Sequence, residues 1–187
     1  MKVVVVLAEG FEEIEAVVVV DVLRRAGVEV LVLGLAEGVV VGAHGIGVRC
    51  DGELGGVAGE TVDAVVLPGG MPGTRNLMAD PRVGELVRSV RARGRDVAAI
   101  CAAPLVLKAA GVRGRMAAHP SVHAELGEAW VDGAARVVTR EGVVTACGAG
   151  AAMEFALALV ERWCGGEVAE RLARAMLVRV DSSSTKT

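Results

Sequence analysis

The 187 residues are 53% hydrophobic and 23% charged, with a net charge of -3, which is ample apolar material for a core and lacks the basic footprint that nucleic-acid binding requires. With no Tyr, two Phe and two Trp, base-stacking platforms are nearly excluded, and the core has to be filled by Val, Leu and Ala. Mean hydropathy is +0.52, yet no apolar run reaches the ~18 uninterrupted residues of a membrane span.

In chain order, Val3 to Leu7 is a β-branched aliphatic run that predicts a buried strand, followed by an acidic turn and a helix from about Glu12 to Ala26, closed by Gly27. Glu29 to Leu33 predicts the next strand. Val39 to Val41 and Ile46 to Cys50, separated by Gly, predict a small antiparallel excursion. Ala64 to Leu67 returns to a buried strand and stops at Pro68-Gly69-Gly70. Asp80-Pro81 marks a helix start, Asp at the cap and Pro in the first turn, running to about Arg93. Val97 to Ile100 predicts a strand and Pro104 to Ala110 a helix. Strands near Ala135 to Thr139 and Val143 to Thr145 then precede helices from about Ala151 to Trp163 and Glu167 to Met176. Alternating apolar strands and amphipathic helices predict an α/β, mainly parallel sheet with helices on both faces. Ligands bind such sheets at the carboxyl ends of the strands, which directs attention to the turns at 8–11, 68–73 and 100–103.

The Val97 to Pro104 segment turns from strand to helix within one or two residues, with Cys101 at the corner. This is the pattern of a nucleophile elbow, and the following helix is expected to favour thiolate by its N-terminal dipole. The alternative is a structural cysteine at a buried strand end. Glu15 shares its helix face with Val18, Val19 and Val22, whereas Glu12 and Glu13 can reach water. A carboxyl on that apolar stripe has a raised pKa and can move a proton; a plain first-turn acid is the competing reading. Gly69-Gly70 offers unshielded N–H groups for an oxyanion, or is only a turn. His119 is either a proton relay or a surface histidine. Cys50, Cys101, Cys147 and Cys164 are scattered, with no C-x-x-C pair and no zinc-like spacing, so neither a disulfide framework nor a metal site is expected. No secretion signal follows Met1-Lys2-Val3, which predicts a cytoplasmic protein.

Several stretches then coincide: Glu9 to Glu15, Asp21 to Gly27, Val66 to Gly70, Asn76-Leu77, Ala99 to Pro104, His119-Pro120 and Glu154 to Leu157. Together, over about Lys2 to Val178, they resemble the ThiJ/PfpI superfamily and most closely its DJ-one branch. The resemblance implies a flavodoxin-like, doubly wound sheet in one ThiJ/PfpI (class I glutamine amidotransferase-like) domain over 1–180, followed by a polar tail at 181–187. It implies Cys101 as nucleophile, Glu15 as the carboxyl bonded to it, His119 as a nearby histidine, and Gly70 with Ala102 as the backbone donors of an oxyanion site. No cofactor is implied; the partners are a small dicarbonyl or glycated substrate and a second copy in a homodimer, with no membrane or nucleic acid. Members are described as glutathione-independent glyoxalases, as deglycases, and as redox sensors or chaperones. Three departures stand out: Ala103 where Gly is common, His44 where an Arg contributed across the dimer is common, and Cys147-Gly148-Ala149-Gly150 in place of an Arg-Gly-Pro-Gly pattern.

Overall fold

The aliphatic runs form the middle of a seven-stranded sheet in the computed structural model, which describes residues 1–56, 61–131 and 135–179. β1 (Lys2–Leu7) lies near its centre, and its side chains alternate between two cores: Val3, Val5 and Leu7 face one, Val4 and Val6 the other. That period of two is what a strand covered on both faces requires. α1 (Glu13–Arg25) packs over the first core, α1 ending where Gly27 takes φ +81° and donates to Arg24 O.

β2 (Glu29–Gly34) pairs with β1; an antiparallel ribbon follows, β3 (Val39–Val41) with β4 (Gly47–Arg49), and then the two-residue β5 (Gly52–Glu53). β6 (Ala64–Leu67) leads into α2 (Gly73–Ala79), a short helix unforeseen in the sequence, and α3 (Pro81–Ala92). Asp80 caps α3, accepting the Arg82 N–H at 2.9 Å with Pro81 in the first turn, as its Asp-Pro signal requires. β7 (Asp96–Ile100) and α4 (Pro104–Ala109) precede α5 (His123–Leu126), a one-turn helix flanked by 3-10 turns.

β8 (Val137–Arg140) and β9 (Val143–Ala146) complete the sheet, whose order is β5-β2-β1-β6-β7-β9-β8, parallel throughout except for the antiparallel β8–β9 pair. α6 (Ala152–Cys164) joins α1 on the first face through Phe155 and Leu159, and α7 (Gly166–Ala175) packs outside it. α3 and α4 cover the second face through Val83, Val87, Val106 and Leu107. The architecture is a flavodoxin-like, doubly wound α/β sandwich. The expected tail, 181–187, lies outside the described residues. Among the described residues no helix is long and apolar enough to cross a membrane.

Candidate active site at the β7 corner

β7 runs in register with β9 as far as Ile100 opposite Ala146, and the next residue, Cys101, turns the chain at φ +64°. A side chain with a Cβ enters that left-handed region only where its surroundings hold it. Two main-chain bonds do so: Cys101 N–H donates to Ala146 O at 2.9 Å, and Cys101 O accepts the His119 N–H at 2.8 Å. The half-buried thiol therefore stands over the carboxyl edge of the sheet, flanked by the buried Ala102 and Ala103.

Glu15, in the first turn of α1, is fully buried. Its Oε2 accepts the Gly69 N–H at 2.7 Å, while Oε1 is buried and unpartnered. The group on which this carboxyl acts is the Cys101 thiol, to which it is directly coupled. Gly69 makes the approach possible: a Cβ there would lie 2.7 Å from Cys101 Cβ and 2.9 Å from Glu15 Oε2. Burial pushes the Glu15 carboxyl up to about 7, against the pull of the Gly69 N–H and the thiol. Burial, and after it the Glu15 charge, pushes the Cys101 thiol up to about 12, while the Gly70 and Ala102 N–H groups pull it down.

The expectation that a helix end would by itself depress the thiol is therefore corrected. α4 has six residues and starts at Pro104, which has no N–H, and the Ala103 N–H is already bonded to Ile100 O at 3.0 Å. What faces the sulfur instead is one amide from each of two loops, Gly70 and Ala102. The acid and the thiol titrate as a pair. Between about 7 and about 12 they hold one proton and one negative charge between them. When the proton sits on Glu15, the sulfur is the thiolate, beneath two N–H donors.

Around the pair opens a cavity of about 530 Å³ lined by Glu12, Glu15, Cys101, His119, Arg136 and Cys147, among others. His119 is exposed, and its ring contacts Ser121: Nδ1 accepts the Ser121 N–H at 3.2 Å and lies 2.8 Å from Ser121 Oγ. Among the described residues no carboxylate pairs with this ring, so the Cys-His-acid arrangement of a peptidase is not assembled. Sequence reading missed Arg136, which binds Glu154 at 2.6 Å and Gly150 O at the cavity rim; nothing local to Arg136 signals that placement. Sequence reading also put Glu13 in water. Glu13 is instead buried, and although burial raises its pKa, hydrogen bonds from His44, led by its side chain, and from the Ile46 N–H hold it at about 2. His44 Nδ1 lies 2.9 Å from Glu13 and 3.7 Å from Glu12, the one place among the described residues where His, Cys or acid ligand atoms converge as a metal would need. Those atoms are already paired with one another.

A doubly wound α/β sheet carrying a strained cysteine at a strand-to-helix corner, with a buried acid against it, defines a class: flavodoxin-like proteins built around a nucleophile elbow. The model of the DJ-1/PfpI family matches residues 1–162. The chain is 39% identical over 180 residues to Protein dj-1beta of Drosophila melanogaster, covering 93% of this chain and 95% of that one. The crystal structure of Drosophila DJ-1beta superposes with a TM-score of 0.92 at 38% identity, covering 96% of this chain and 98% of that chain. Toxoplasma gondii DJ-1, solved in an oxidized form, gives a TM-score of 0.90 at 34% identity, with 96% and 99% covered. The glutathione-independent glyoxalase DJR-1.2 of Caenorhabditis elegans is 37% identical over 172 residues, 90% of this chain and 91% of its own length. The chain belongs to the DJ-1/PfpI family.

Proposed function

We propose that the protein is a cofactor-independent enzyme of the glyoxalase or deglycase type, which uses Cys101 on 1,2-dicarbonyls or their adducts. The observation that carries this reading is the geometry of the corner: the Cys101 sulfur is held at a strained turn against the buried Glu15 carboxyl, with the Gly70 and Ala102 amides facing it. The name of the nematode relative supports the same reaction class.

With the proton on Glu15, the Cys101 sulfur attacks the aldehyde carbon of methylglyoxal, forming a C–S bond and an oxyanion that Gly70 and Ala102 N–H groups stabilise. Glu15 gives its proton to that oxygen, completing a hemithioacetal. The resulting carboxylate removes the hydrogen from the same carbon and returns it to the neighbouring carbon, while the hydroxyl proton passes from the first oxygen to the second through the enediol, leaving a 2-hydroxy thioester. Water then cleaves the C–S bond and releases lactate and the free thiol, so the net reaction adds one water to the dicarbonyl. His119, on the cavity wall, serves the water in this scheme.

The test is lactate production from methylglyoxal by the purified protein. Cys101→Ser is expected to abolish it, and Glu15→Gln to lower kcat by about 10²- to 10⁴-fold, the usual worth of a positioned acid-base group. Undiminished turnover in both variants removes the mechanism. The second reading is a redox sensor or chaperone-like stress protein acting through oxidation of the same sulfur, favoured by the oxidized form of the Toxoplasma relative. It is chosen if Cys101 takes up oxygen stoichiometrically from peroxide while no dicarbonyl is consumed. Under either reading the protein works in the cytoplasm as a homodimer.

A further inference from the structure

Cys101 and Cys147 each follow directly on the last residue of two adjacent parallel strands. β7 and β9 are in register through Ile100 and Ala146, so the next residue on each is a cysteine, and the Cys101 N–H still bridges to Ala146 O at 2.9 Å. Parallel neighbours lie about 4.8 Å apart, inside the Cα separation of about 4.4–6.8 Å that a disulfide accepts. The two side chains also share a face. Both pack against the core beneath α1 and α6, both are half-buried free thiols, and both line the same cavity. The Arg136 guanidinium, bonded first to Glu154, lies within reach of the charge of Cys147, and Arg136 O accepts the Cys147 N–H at 3.0 Å.

We propose that Cys147 is a resolving cysteine, which captures oxidised Cys101 as an intramolecular disulfide before further oxidation can occur. The proposal rests on Cys101 being the reactive sulfur and extends that site to hydroperoxides. The Cys101 thiolate attacks one peroxide oxygen: the S–O bond forms, the O–O bond breaks, and the leaving oxygen takes the proton held by Glu15. Cys101 is oxidised by two electrons to sulfenic acid, and the peroxide is reduced to water or an alcohol. The Cys147 thiol then attacks the Cys101 sulfur; the S–S bond forms, the S–O bond breaks, and hydroxide leaves with the Cys147 proton as water. A dithiol reductant restores both cysteines.

The experiment treats the reduced full chain with stoichiometric hydrogen peroxide, blocks the remaining thiols by alkylation, and reads intact mass and tryptic peptides without reduction. The expected product has lost two hydrogens, carries a linked pair of peptides 96–108 and 141–162, and reverts with dithiothreitol. Cys147→Ser is expected to shift the product to one and then two added oxygens on peptide 96–108. Two added oxygens on that peptide in the unmodified chain, with Cys147 still open to alkylation, overturn the proposal and leave Cys101 as the reactive sulfur. A Cys101 that reacts no faster with peroxide than Cys50 or Cys164 overturns both together.

Discussion

Two carboxyls two residues apart in α1 hold opposite states, Glu13 at about 2 and Glu15 at about 7. Both are buried, and the difference is in what meets them. Glu13 gathers N–H donors and a histidine, whereas Glu15 receives one amide and a thiol. Because the folded protein holds the Glu15 proton up to about 7 and the unfolded chain releases it near 4.5, ionising Glu15 works against the fold. Its effect on stability therefore falls as pH rises from about 4.5 to about 7, by roughly 3 kcal/mol in all, and is level above that. Urea unfolding of the protein and of Glu15→Gln across this window checks it: the variant is expected to lack that decline. Alkylation of Cys101 is expected to rise in two steps, the first near pH 7, and in Glu15→Gln in one step, since a single titrating group remains. Superimposable alkylation profiles count against a shared proton. The apolar stripe of Val18, Val19 and Val22 made Glu15 legible from its own helix. Glu13 was not, because its partner His44 lies 31 residues away and no local pattern announces it.

At the level of elements, the site depends on where the loop after β6 passes. Gly69 is the contact point between that loop, the β7 corner and α1, and a methyl group there would press on Cys101 Cβ, Glu15 Oε2 and Ile100 O, all within 2.9 Å. Gly69→Ala is expected to lower stability by about 1–3 kcal/mol as overpacking does, and to cut Cys101 alkylation together with lactate formation. Gly166→Ala, where nothing lies within 4 Å, is the control and is expected to stay within about 0.5 kcal/mol. Equal melting and equal alkylation in both variants sink the argument. The elements themselves were readable where their cause is local: short apolar runs for β1, β6 and β7, the Asp80-Pro81 cap of α3, Gly27 after α1. α2, β5 and the turns around α5 were not, since each is held by distant partners. α2, for example, is tied down by Asn76 Nδ2 donating to Glu9 O at 2.8 Å and by Gly73 N–H donating to Gly10 O at 3.1 Å. The same reason hid the source of the sulfur's donors. A strand-to-helix corner suggests a helix dipole, while the Gly70 amide comes from a loop about thirty residues earlier, whose Pro-Gly-Gly reads equally well as a plain turn.

At the scale of the whole molecule, five exposed large aliphatic side chains lie on α1 and the neighbouring ribbon. Ile14 and Val17 on α1 are 54% and 51% exposed, and Val39, Val41 and Ile46 on the neighbouring ribbon are 57%, 40% and 58% exposed. The ribbon is bound to the start of α1, through Ala43 N–H to Phe11 O and through Glu13 to the N–H groups of His44 and Ile46, so helix and ribbon present one surface. An apolar face of this kind on a folded chain marks an interface, and the occupant proposed above is a second copy. In a two-fold dimer the same patch meets itself, so one substitution acts twice. Val17→Asp places two carboxylates into the joint face without partners, each with a desolvation cost that the aliphatic contacts cannot offset. The wild-type chain is expected to scatter light as a dimer and Val17→Asp as a monomer, with the far-ultraviolet circular dichroism of the two alike because Val17 contributes nothing to either core. A monomeric wild type, or a variant that remains dimeric, removes this face as the interface. Glu12 borders both the Cys101 cavity and His44, so separation of the copies is also expected to change KM for methylglyoxal more than kcat: the rim is altered while the Glu15 and Cys101 pair, buried behind it, keeps its geometry.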